Sequence, residues 1–559
     1  MLNKIQAIFR FIWQHNLFMK ALALAVAAIA FWISFHAYAG FLAVDFDADQ
    51  AIHVLMTADL QLPADLYYWG QQRGGSILPV LGNVLLQHSR LSPIEAVSYA
   101  QYFVLGIGYL AFAAIFKTNL ARILFALVWF LPPHPFAFLL MLGHPYSAQL
   151  AFLGLAMALI TKLPHPPGLL RLGLRHLMIA AAVACLFISY WASDFSMISM
   201  ALIGVLAVGG MLYRIWTAPV TPVLPRLSRS WNILLVIALL ALEAGTILLT
   251  SRYGVEFIRY AKQHAAPSNE PLLQVNNWEQ AKALFDLFSQ PTIQALALQS
   301  DRLQNIWIGS IVAFWACAAT FLAVYGLVWL LQAWLRKYPL PRLALSPWLG
   351  VLVANVVLGL IAILWSQWVY INSIDNGSGK RYFVPLYILG WVAALLFTEG
   401  IPRLAAKPLW AILLVVTVVG SATLPASVYG LEQFQPTVVR LQEIQRLGPV
   451  GIIGNHWTAY LLCSVNPHLQ SCTQFDEYGQ TFCLNVEEPP VRRPSGRCFR
   501  CVERVLNAQT IYLAKNSWLE EFPEETEQFG ECLVKIGEPT EVAGYTLAPY
   551  RRRTLLQPS

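Results

Sequence analysis

A series of long apolar runs, with few charged residues between them, constrains this chain more than any other feature. A helix needs about 20 apolar residues to cross roughly 30 Å of hydrocarbon, and it satisfies its own backbone hydrogen bonds there. We therefore predict an all-α polytopic membrane domain over residues 1–429, with about eleven transmembrane helices. The predicted spans lie near 21–44, 98–116, 120–133, 146–161, 177–192, 196–213, 232–250, 306–334, 347–370, 382–399 and 408–428.

The lysines and arginines fall on alternate loops of this arrangement, which indicates its orientation. The basic loops collect Lys4, Arg10, Lys20, Lys117, Arg122, Lys162, Arg171, Arg175, Arg214, Arg226, Arg229, Arg336, Lys337, Arg342, Arg403 and Lys407. By the positive-inside rule the N-terminus is cytoplasmic and the chain after residue 430 lies outside. The formal net charge of +7 is then a topology signal, and we predict a multi-pass protein of the plasma (inner) membrane without a nucleic-acid partner.

The first apolar run also resembles a signal peptide, because Ala37-Tyr38-Ala39 has the pattern of a cleavage site. The run is longer than a typical signal core, and many further spans follow it. These two facts favour an uncleaved first helix over a removed leader.

Residues 430–559 have the composition of a water-soluble domain, which we predict to be α/β or α+β and extracytoplasmic. The run 449–454 (PVGIIG) predicts a buried strand, and the next run (NHWTAYLLCSV) predicts a helix with Asn455 as its N-cap. The later runs TIYLAK, CLVKIG and VAGYTLAPY predict further strands.

Most cysteines of the chain lie in this C-terminal part, namely Cys463, Cys472, Cys483, Cys498, Cys501 and Cys532. An even number in a small extracytoplasmic domain favours up to three disulfides, for which fifteen pairings exist. The alternative is a zinc site, because Cys498 and Cys501 have ligand spacing and Cys483 and His468 are available.

The first outside loop, 45–97, is acidic in a chain that is 57% hydrophobic and 12% charged. Its first part carries Asp45, Asp47, Asp49, Asp59 and Asp65. Residues 47–60 have helical propensity, which places Asp49 and His53 one turn apart on one face. The aromatic and amide residues of 66–75 suit a sugar site, since ring faces stack on sugars and amides bind hydroxyls. An interfacial segment with aromatics at headgroup depth explains the same residues equally well.

This loop resembles that of the polytopic GT-C glycosyltransferases. The similarity is carried by DQA (49–51), LMTAD (55–59), YYWGQ (67–71) and the glycine pair 74–75. It is closest to the bacterial branch related to protein O-mannosyltransferases and lipid A aminoarabinose transferase. The resemblance covers roughly residues 20–160. A short Arg-Tyr-x-x-Pro pattern extends it to 370–390, and no motif covers residues 430–559.

The resemblance implies an enzyme that moves a sugar from a polyprenyl-phosphate donor to a glycan, lipid or protein outside the membrane. The family loop carries an Asp-Glu pair, whereas this chain has Asp49-Gln50, with Asp47 two residues earlier. Asp49 is then the expected general base, and Asp47 is the second choice or an orienting group. Enzymes of this class generally need no metal cofactor, although alternate aspartates could hold a divalent cation.

Lys380 and Arg381, at the outer start of a late helix, are the expected clamp for the carrier phosphate. The resemblance supports this, because a late-helix arginine contacts that phosphate in the family; the alternative is a pair of snorkelling anchors. Other expected substrate-binding residues are Tyr68, Trp69, Gln71, Arg73, His144, Arg252 and Arg259. The last two lie in the outside loop 251–305, where a surface amphipathic helix is the alternative.

Two other function classes fit a polytopic chain. A transporter or flippase of lipid-linked sugars is expected to show internal repeats and ionisable residues at mid-membrane depth. The sequence shows no repeat, and Glu243 is the main acidic residue inside a span. A non-catalytic scaffold would tolerate changes at Asp49 and Arg381. The sequence therefore favours the transferase.

Overall fold

The structure is a computed structural model. It describes residues 17–164, 169–217, 229–265, 274–296, 346–374, 379–401, 403–422, 424–430, 435–477, 479, 483, 498–516 and 518–553. The predicted span 306–334 lies outside these residues.

The membrane part is helical, as predicted. Its helices are Leu17–Tyr38, Ala48–Ala58, Ile77–His88, Pro93–Ala113, Asn119–Phe130, Tyr146–Thr161, Leu169–Ala192, Ser196–Thr217, Arg229–His264, Trp278–Leu296, Pro347–Leu364, Gln367–Ile374, Val384–Gly400 and Arg403–Ala422. Short 3-10 helices lie at Ala64–Leu66, His134–Leu139, Gly379–Phe383 and Ala426–Tyr429. Seven of the helices in the described residues are long and apolar enough to cross a membrane.

The predicted spans that fall on described residues coincide with helices, but several lengths differ. The segments near 120–133 and 146–161 form shorter apolar helices, Asn119–Phe130 and Tyr146–Thr161. The span predicted at 232–250 continues to His264 as one helix of 36 residues, about 54 Å long at 1.5 Å per residue. The first part of the predicted loop 251–305 is therefore an extension of a membrane helix.

Aromatic packing joins the helices Pro93–Ala113 and Asn119–Phe130. Phe112, Phe125 and Trp129 are fully buried, and the Phe112 and Trp129 rings lie 5.8 Å apart between centroids. Trp129 Nε1 donates to the Leu105 carbonyl at 3.0 Å. Gly108 allows this approach, since a Cβ there would lie 2.6 Å from the Trp129 ring. Side-chain size thus fixes the spacing of these two helices.

The C-terminal part contains a mixed sheet with strands β1 Val450–Gly454, β2 Gln470–Gln474, β3 Ile511–Ala514, β4 Glu525–Gln528, β5 Glu531–Lys535, β6 Thr540–Val542 and β7 Tyr545–Arg552. The strand order is β2-β1-β3-β7-β5-β4, with β6 paired to β7. The pairs β1–β2 and β1–β3 are parallel, whereas β3–β7, β5–β7, β4–β5 and β6–β7 are antiparallel. Helices His456–Cys463 and Phe499–Leu506 accompany the sheet, and shorter helical turns lie at Thr437–Leu441 and Gln442–Leu447. The predicted α/β or α+β domain is confirmed.

The helix Ala48–Ala58 joins the two parts of the molecule. It packs against the helices Ile77–His88 and Pro93–Ala113 on one side and against His456–Cys463 of the C-terminal part on the other. Its Ile52 and Met56 side chains are fully buried. The C-terminal part therefore covers part of the acidic loop.

Candidate functional site

The helix Ala48–Ala58 starts with Asp47 as its N-cap. The Asp47 carboxylate accepts a hydrogen bond from the Gln50 backbone N–H at 3.0 Å. Asp49 lies in the first turn, where the partial positive charge of the helix N-terminus favours a carboxylate. The predicted helix is confirmed, and Asp49 and His53 lie one turn apart on it.

Three separate parts of the chain meet at the Asp49 carboxylate, and a fourth lies against the Asp49 backbone. The Tyr68 hydroxyl donates to Oδ1 at 3.0 Å. His456 Nε2 lies 3.6 Å from the same oxygen, and Arg381 Nη1 lies 3.7 Å from Oδ2. The Gly143 backbone lies against the Asp49 backbone, since a Cβ on residue 143 would be 2.6 Å from the Asp49 carbonyl carbon. The φ angle of Gly143 is +95°. Only glycine fits this position, and the approach brings His144 beside the site.

The two neighbouring carboxyl groups titrate in opposite directions. Burial and the charge of Asp49 raise the pKa of Asp47 to about 6. Burial also opposes ionisation of Asp49, but contact with His456 and the charges of His144, His456 and Arg381 outweigh it and lower the pKa of Asp49. At neutral pH Asp49 is a carboxylate. Pairs pushed apart in this way are typical of acid–base sites.

Two buried histidines flank the carboxylate as neutral rings. Burial lowers the pKa of His53 to about 4, although the Asp49 charge opposes this. Burial, with the nearby Arg381 charge, lowers the pKa of His144 to about 4. The His144 ring packs edge-on against Phe138 with 5.0 Å between centroids. Near pH 7 these rings supply shape and dipoles, and the positive charge beside Asp49 comes from Arg381.

Arg381 lies in the 3-10 helix Gly379–Phe383, immediately before the helix Val384–Gly400. Its Nη2 reaches the Asn372 Oδ1 and the Tyr382 hydroxyl at 3.5 Å each, so its hydrogen bonds are long. The side chain is only 19% exposed. A guanidinium has five N–H donors, so Arg381 keeps donor capacity for an anion.

Arg73 lies near the same aromatic residues. Its guanidinium stacks on the Trp368 ring at 3.9 Å from the centroid. Trp368 Nε1 donates to the Tyr382 hydroxyl at 2.5 Å, and Tyr382 follows Arg381 in sequence. The structure thus connects the predicted cations Arg73 and Arg381 through one aromatic pair. The backbone of Lys380 lies in the same turn, and its side chain is outside the described part.

Other predicted substrate-binding residues lie elsewhere. Trp69 is buried, donates from Nε1 to Asp65 Oδ1 at 2.9 Å and lies beneath the Arg500 guanidinium, so it serves the contact with the C-terminal domain. Gln71 forms a turn, with its backbone N–H on the Tyr68 carbonyl at 3.0 Å. Arg259 is exposed and pairs with Glu256 at 3.0 Å.

Arg252 is also exposed on the long helix Arg229–His264. In the described part of the chain, neither Arg252 nor Arg259 contacts the Asp49 carboxylate. The expectation that they bind the carrier stays a prediction without structural support.

His456 was missed by sequence reasoning. It is the first residue of the helix His456–Cys463, whose N-cap is Asn455. The Asn455 cap was predicted, and it places residue 456 at the exposed start of the helix. No local signal in the sequence says which distant loop that start would meet.

The cysteines form two disulfides among the described residues, Cys483–Cys532 and Cys498–Cys501. Cys463 and Cys472 are buried and form no disulfide, so two of the up to three expected disulfides are present in this part of the chain. Glu525 lies close to the sulfur atoms of Cys483 and Cys532. Because zinc binds thiolates, sulfurs held in a disulfide are unsuited to it. The pairing favours the disulfide interpretation over the zinc site.

Comparisons with known proteins give fold-level similarity only. No protein-family model matches the chain, and no curated protein matches it. The solved structure of ArnT from Cupriavidus metallidurans in the apo state is 13% identical, with 96% of this chain and 99% of that chain covered and a TM-score of 0.39. An Archaeoglobus fulgidus oligosaccharyltransferase with a tethered acceptor peptide is 11% identical, with coverages of 88% and 69% and a TM-score of 0.40.

Both proteins are GT-C glycosyltransferases, the superfamily that the sequence resembles. Because both TM-scores lie below 0.5, we infer the chemistry of this chain from its own residues.

Proposed function

We propose that this protein is an integral membrane glycosyltransferase that moves a sugar from a polyprenyl-phosphate donor to an extracytoplasmic acceptor. The observation that carries the proposal is the Asp49 carboxylate, held in one partly buried site with the Arg381 guanidinium 3.7 Å away. A base for a hydroxyl and a cation for a phosphate are the two groups that such a transfer needs. Asp49 lies outside the helices that could cross a membrane, and Arg381 is the first residue of one of them, at the end predicted to be extracytoplasmic.

Asp49 is the proposed general base. The acceptor hydroxyl oxygen forms a bond to the anomeric carbon, and its proton passes to the Asp49 carboxylate. The bond between the anomeric carbon and the phosphate oxygen breaks, and its electron pair leaves with the polyprenyl phosphate. Attack from the face opposite the phosphate inverts the anomeric centre.

Arg381 couples donor binding to the strength of that base. A carboxylate with a lowered pKa is a weak proton acceptor, and a pKa near the working pH is best. When the carrier phosphate binds, it competes with Asp49 for the Arg381 guanidinium and adds a negative charge nearby. Both changes raise the pKa of Asp49, because they weaken one of the interactions that favour its ionised form. The base is thereby strengthened when the donor is in place.

The surrounding residues have supporting roles in this proposal. Arg73, stacked on Trp368, is the second cation for the phosphate, and Lys380 in the Arg381 turn is a third candidate. The Tyr68 hydroxyl orients the Asp49 carboxylate. His144, neutral near pH 7, lines the site beside Asp49 without competing for the phosphate. Asp47 acts as the helix cap and as an orienting neighbour.

The test uses purified protein reconstituted in lipid vesicles with a panel of synthetic polyprenyl-phosphate sugars. Wild-type protein is expected to release polyprenyl phosphate from at least one of them, and Asp49→Asn is expected to abolish most of that release. Release that is unchanged in Asp49→Asn would remove the proposed base. Movement of the intact lipid-linked sugar between leaflets, without bond cleavage, would instead favour the flippase.

A deletion strain identifies the acceptor. Mass spectrometry of its cell-envelope glycans, glycolipids and glycoproteins is expected to show loss of one sugar modification, restored by wild-type protein but not by Asp49→Asn. Restoration by both proteins would favour the scaffold. Glu243, the ionisable residue that a transporter would use, is already paired with Arg175 at 2.7 Å and Arg214 at 2.8 Å.

A further inference from the structure

We infer that the C-terminal domain completes the catalytic centre, and that His456 is a positioning residue for the Asp49 carboxylate. His456 Nε2 lies 3.6 Å from Asp49 Oδ1, and its side chain is 14% exposed. This inference deepens the proposed function and rests on it, since it assigns an orienting group to the proposed base. It also gives the soluble domain a direct part in the chemistry.

The polar contacts of His456 point to this single role. Its Nδ1 is buried and has no hydrogen-bond partner among the described residues, so the polar contact of the ring is with Asp49. The ring packs edge-on against Trp457 and Tyr460, with centroid distances of 5.0 and 5.5 Å. These contacts hold the imidazole with its Nε2 edge toward the carboxylate. With its proton on Nε2, the ring directs that N–H toward Asp49 Oδ1 from 3.6 Å, just beyond hydrogen-bonding distance.

The two oxygens of Asp49 are thereby given different surroundings. Tyr68 and His456 both face Oδ1, whereas Arg381 faces Oδ2. When a phosphate draws Arg381 away, Oδ2 loses its partner and Oδ1 keeps both of its own. Oδ2 is therefore the oxygen that takes the proton from the acceptor hydroxyl. His456 keeps that oxygen turned toward the acceptor hydroxyl.

The C-terminal domain is held firmly enough for this role. The Thr437 backbone N–H donates to the Ala43 carbonyl at 3.2 Å, just before the helix that carries Asp49. At the other end of that helix, Arg500 Nη2 contacts Asp65 Oδ2 at 2.6 Å. Contacts at both ends fix the position of His456 over Asp49.

The test measures donor cleavage by His456→Ala and His456→Gln with the sugar from the panel that wild-type protein uses. His456→Ala is expected to lower kcat roughly ten- to hundredfold, as for a misplaced reacting group, and to leave the KM for the donor within about threefold. His456→Gln is expected to recover most of kcat, because its amide N–H lies near the place of Nε2–H. His468→Ala, at an exposed histidine of the same domain, is the matched control and is expected to behave as wild type.

A double-mutant cycle separates positioning from a general structural effect. In the Asp49→Asn background, His456→Ala is expected to cause little further loss of kcat, because its effect passes through Asp49. Equal losses in both backgrounds, or full kcat in His456→Ala protein, would overturn the inference while leaving Asp49 as the base. Failure of wild-type protein to cleave any donor overturns the proposed function instead. In that case the same cycle on thermal unfolding still tests the contact, and zero coupling between the two residues rules it out.

Discussion

The helix Ala48–Ala58 has carboxylates near both ends, and the two ends are held in opposite ways. Beyond its C-terminus, Arg500 contacts Asp65 at 2.6 Å and Arg504 contacts Asp59 at 2.7 Å. At its N-terminus the nitrogen atoms of His456 and Arg381 lie 3.6 and 3.7 Å from the Asp49 carboxylate. We call the Asp59 and Asp65 end the closed end, because its ion pairs are short. We call the Asp49 end the loose end, because His456 and Arg381 lie beyond hydrogen-bonding distance of the carboxylate.

The difference separates structure from function. The Arg500–Asp65 pair is short and largely buried, so it holds the C-terminal domain on the loop and leaves little for a ligand. Buried polar atoms without a hydrogen-bond partner among the described residues occur at both ends. Beyond the C-terminus they are Asp59 Oδ2 and Arg500 Nε, which lie 3.3 Å apart in an ion pair. At the Asp49 end they are Gln50 Oε1, His53 Nδ1, His144 Nε2 and His456 Nδ1. Buried groups left without any partner are costly and are typical of functional sites, so the loose end is the one at which we propose that substrate binds.

The largest expected effect is at Asp49. Asp49→Asn keeps the volume and removes the proton acceptor, so kcat is expected to fall about 10²- to 10⁴-fold. Thermal unfolding of the purified protein is expected to change little, because the Asn side-chain oxygen still accepts from Tyr68 and the nitrogen atoms of His456 and Arg381 lie 3.6 and 3.7 Å away. Asp59→Asn, a carboxylate at the closed end, is the matched control and is expected to keep turnover. A full rate for Asp49→Asn with Asp47 intact contradicts the base assignment.

The next effect is at Arg381. Arg381→Ala removes the proposed phosphate clamp and is expected to lower donor affinity and to reduce kcat about 10²- to 10³-fold. Arg381→Lys is expected to recover only part of both, because a point charge does not reproduce the guanidinium fork. Donor titration with kcat measured at saturation separates the effect on donor affinity from the effect on kcat. Unchanged donor affinity in Arg381→Ala would indicate a purely structural arginine.

At the closed end the effect is expected on stability. Asp65 is buried and paired with Arg500, so Asp65→Asn leaves a partly buried cation with one partner fewer and costs on the order of 3 kcal/mol. Asp59 still contacts Arg500 and Arg504, so kcat of the folded protein is expected to fall less than tenfold. Thermal unfolding and turnover of one preparation check both values. A large loss of kcat with unchanged stability in Asp65→Asn would contradict the assignment of this end to structure.

The sequence predicted the elements that depend on local pattern. Apolar runs located the long helices because each buries its own backbone hydrogen bonds. The helix Ala48–Ala58 and the Asn455 cap were predicted correctly for the same local reason: their residues favour that structure whatever surrounds them. The family resemblance assigned roles to Asp49 and Arg381, but their approach to 3.7 Å was not predicted.

The contacts made between distant segments were not predictable. His456 reaches Asp49, and Arg500 reaches Asp65, through docking of the C-terminal domain. Docking depends on the shape of two assembled surfaces, which no single segment encodes. Trp69 illustrates the same limit, since an aromatic ring suited to a sugar is instead covered by that domain.

The smallest effect concerns Asp47 and is a dependence on pH. Its pKa is raised from the ordinary 3.8 to about 6 in the folded protein, so folding favours its protonated form. This contribution to stability is complete below about pH 4 and is lost as pH rises through 6.

Asp47→Asn removes that titration and keeps an N-cap, since Asn caps helices as well as Asp. Its stability relative to wild type is therefore expected to increase between pH 4 and pH 6 and then to stay constant. His53 and His144 titrate in the same range, but they are common to both proteins and cancel in the difference in Tm. Turnover is expected to fall less than tenfold. A difference in Tm that is flat with pH would show that Asp47 is not buried as the structure has it, and a loss of kcat as large as that of Asp49→Asn would make Asp47 the base.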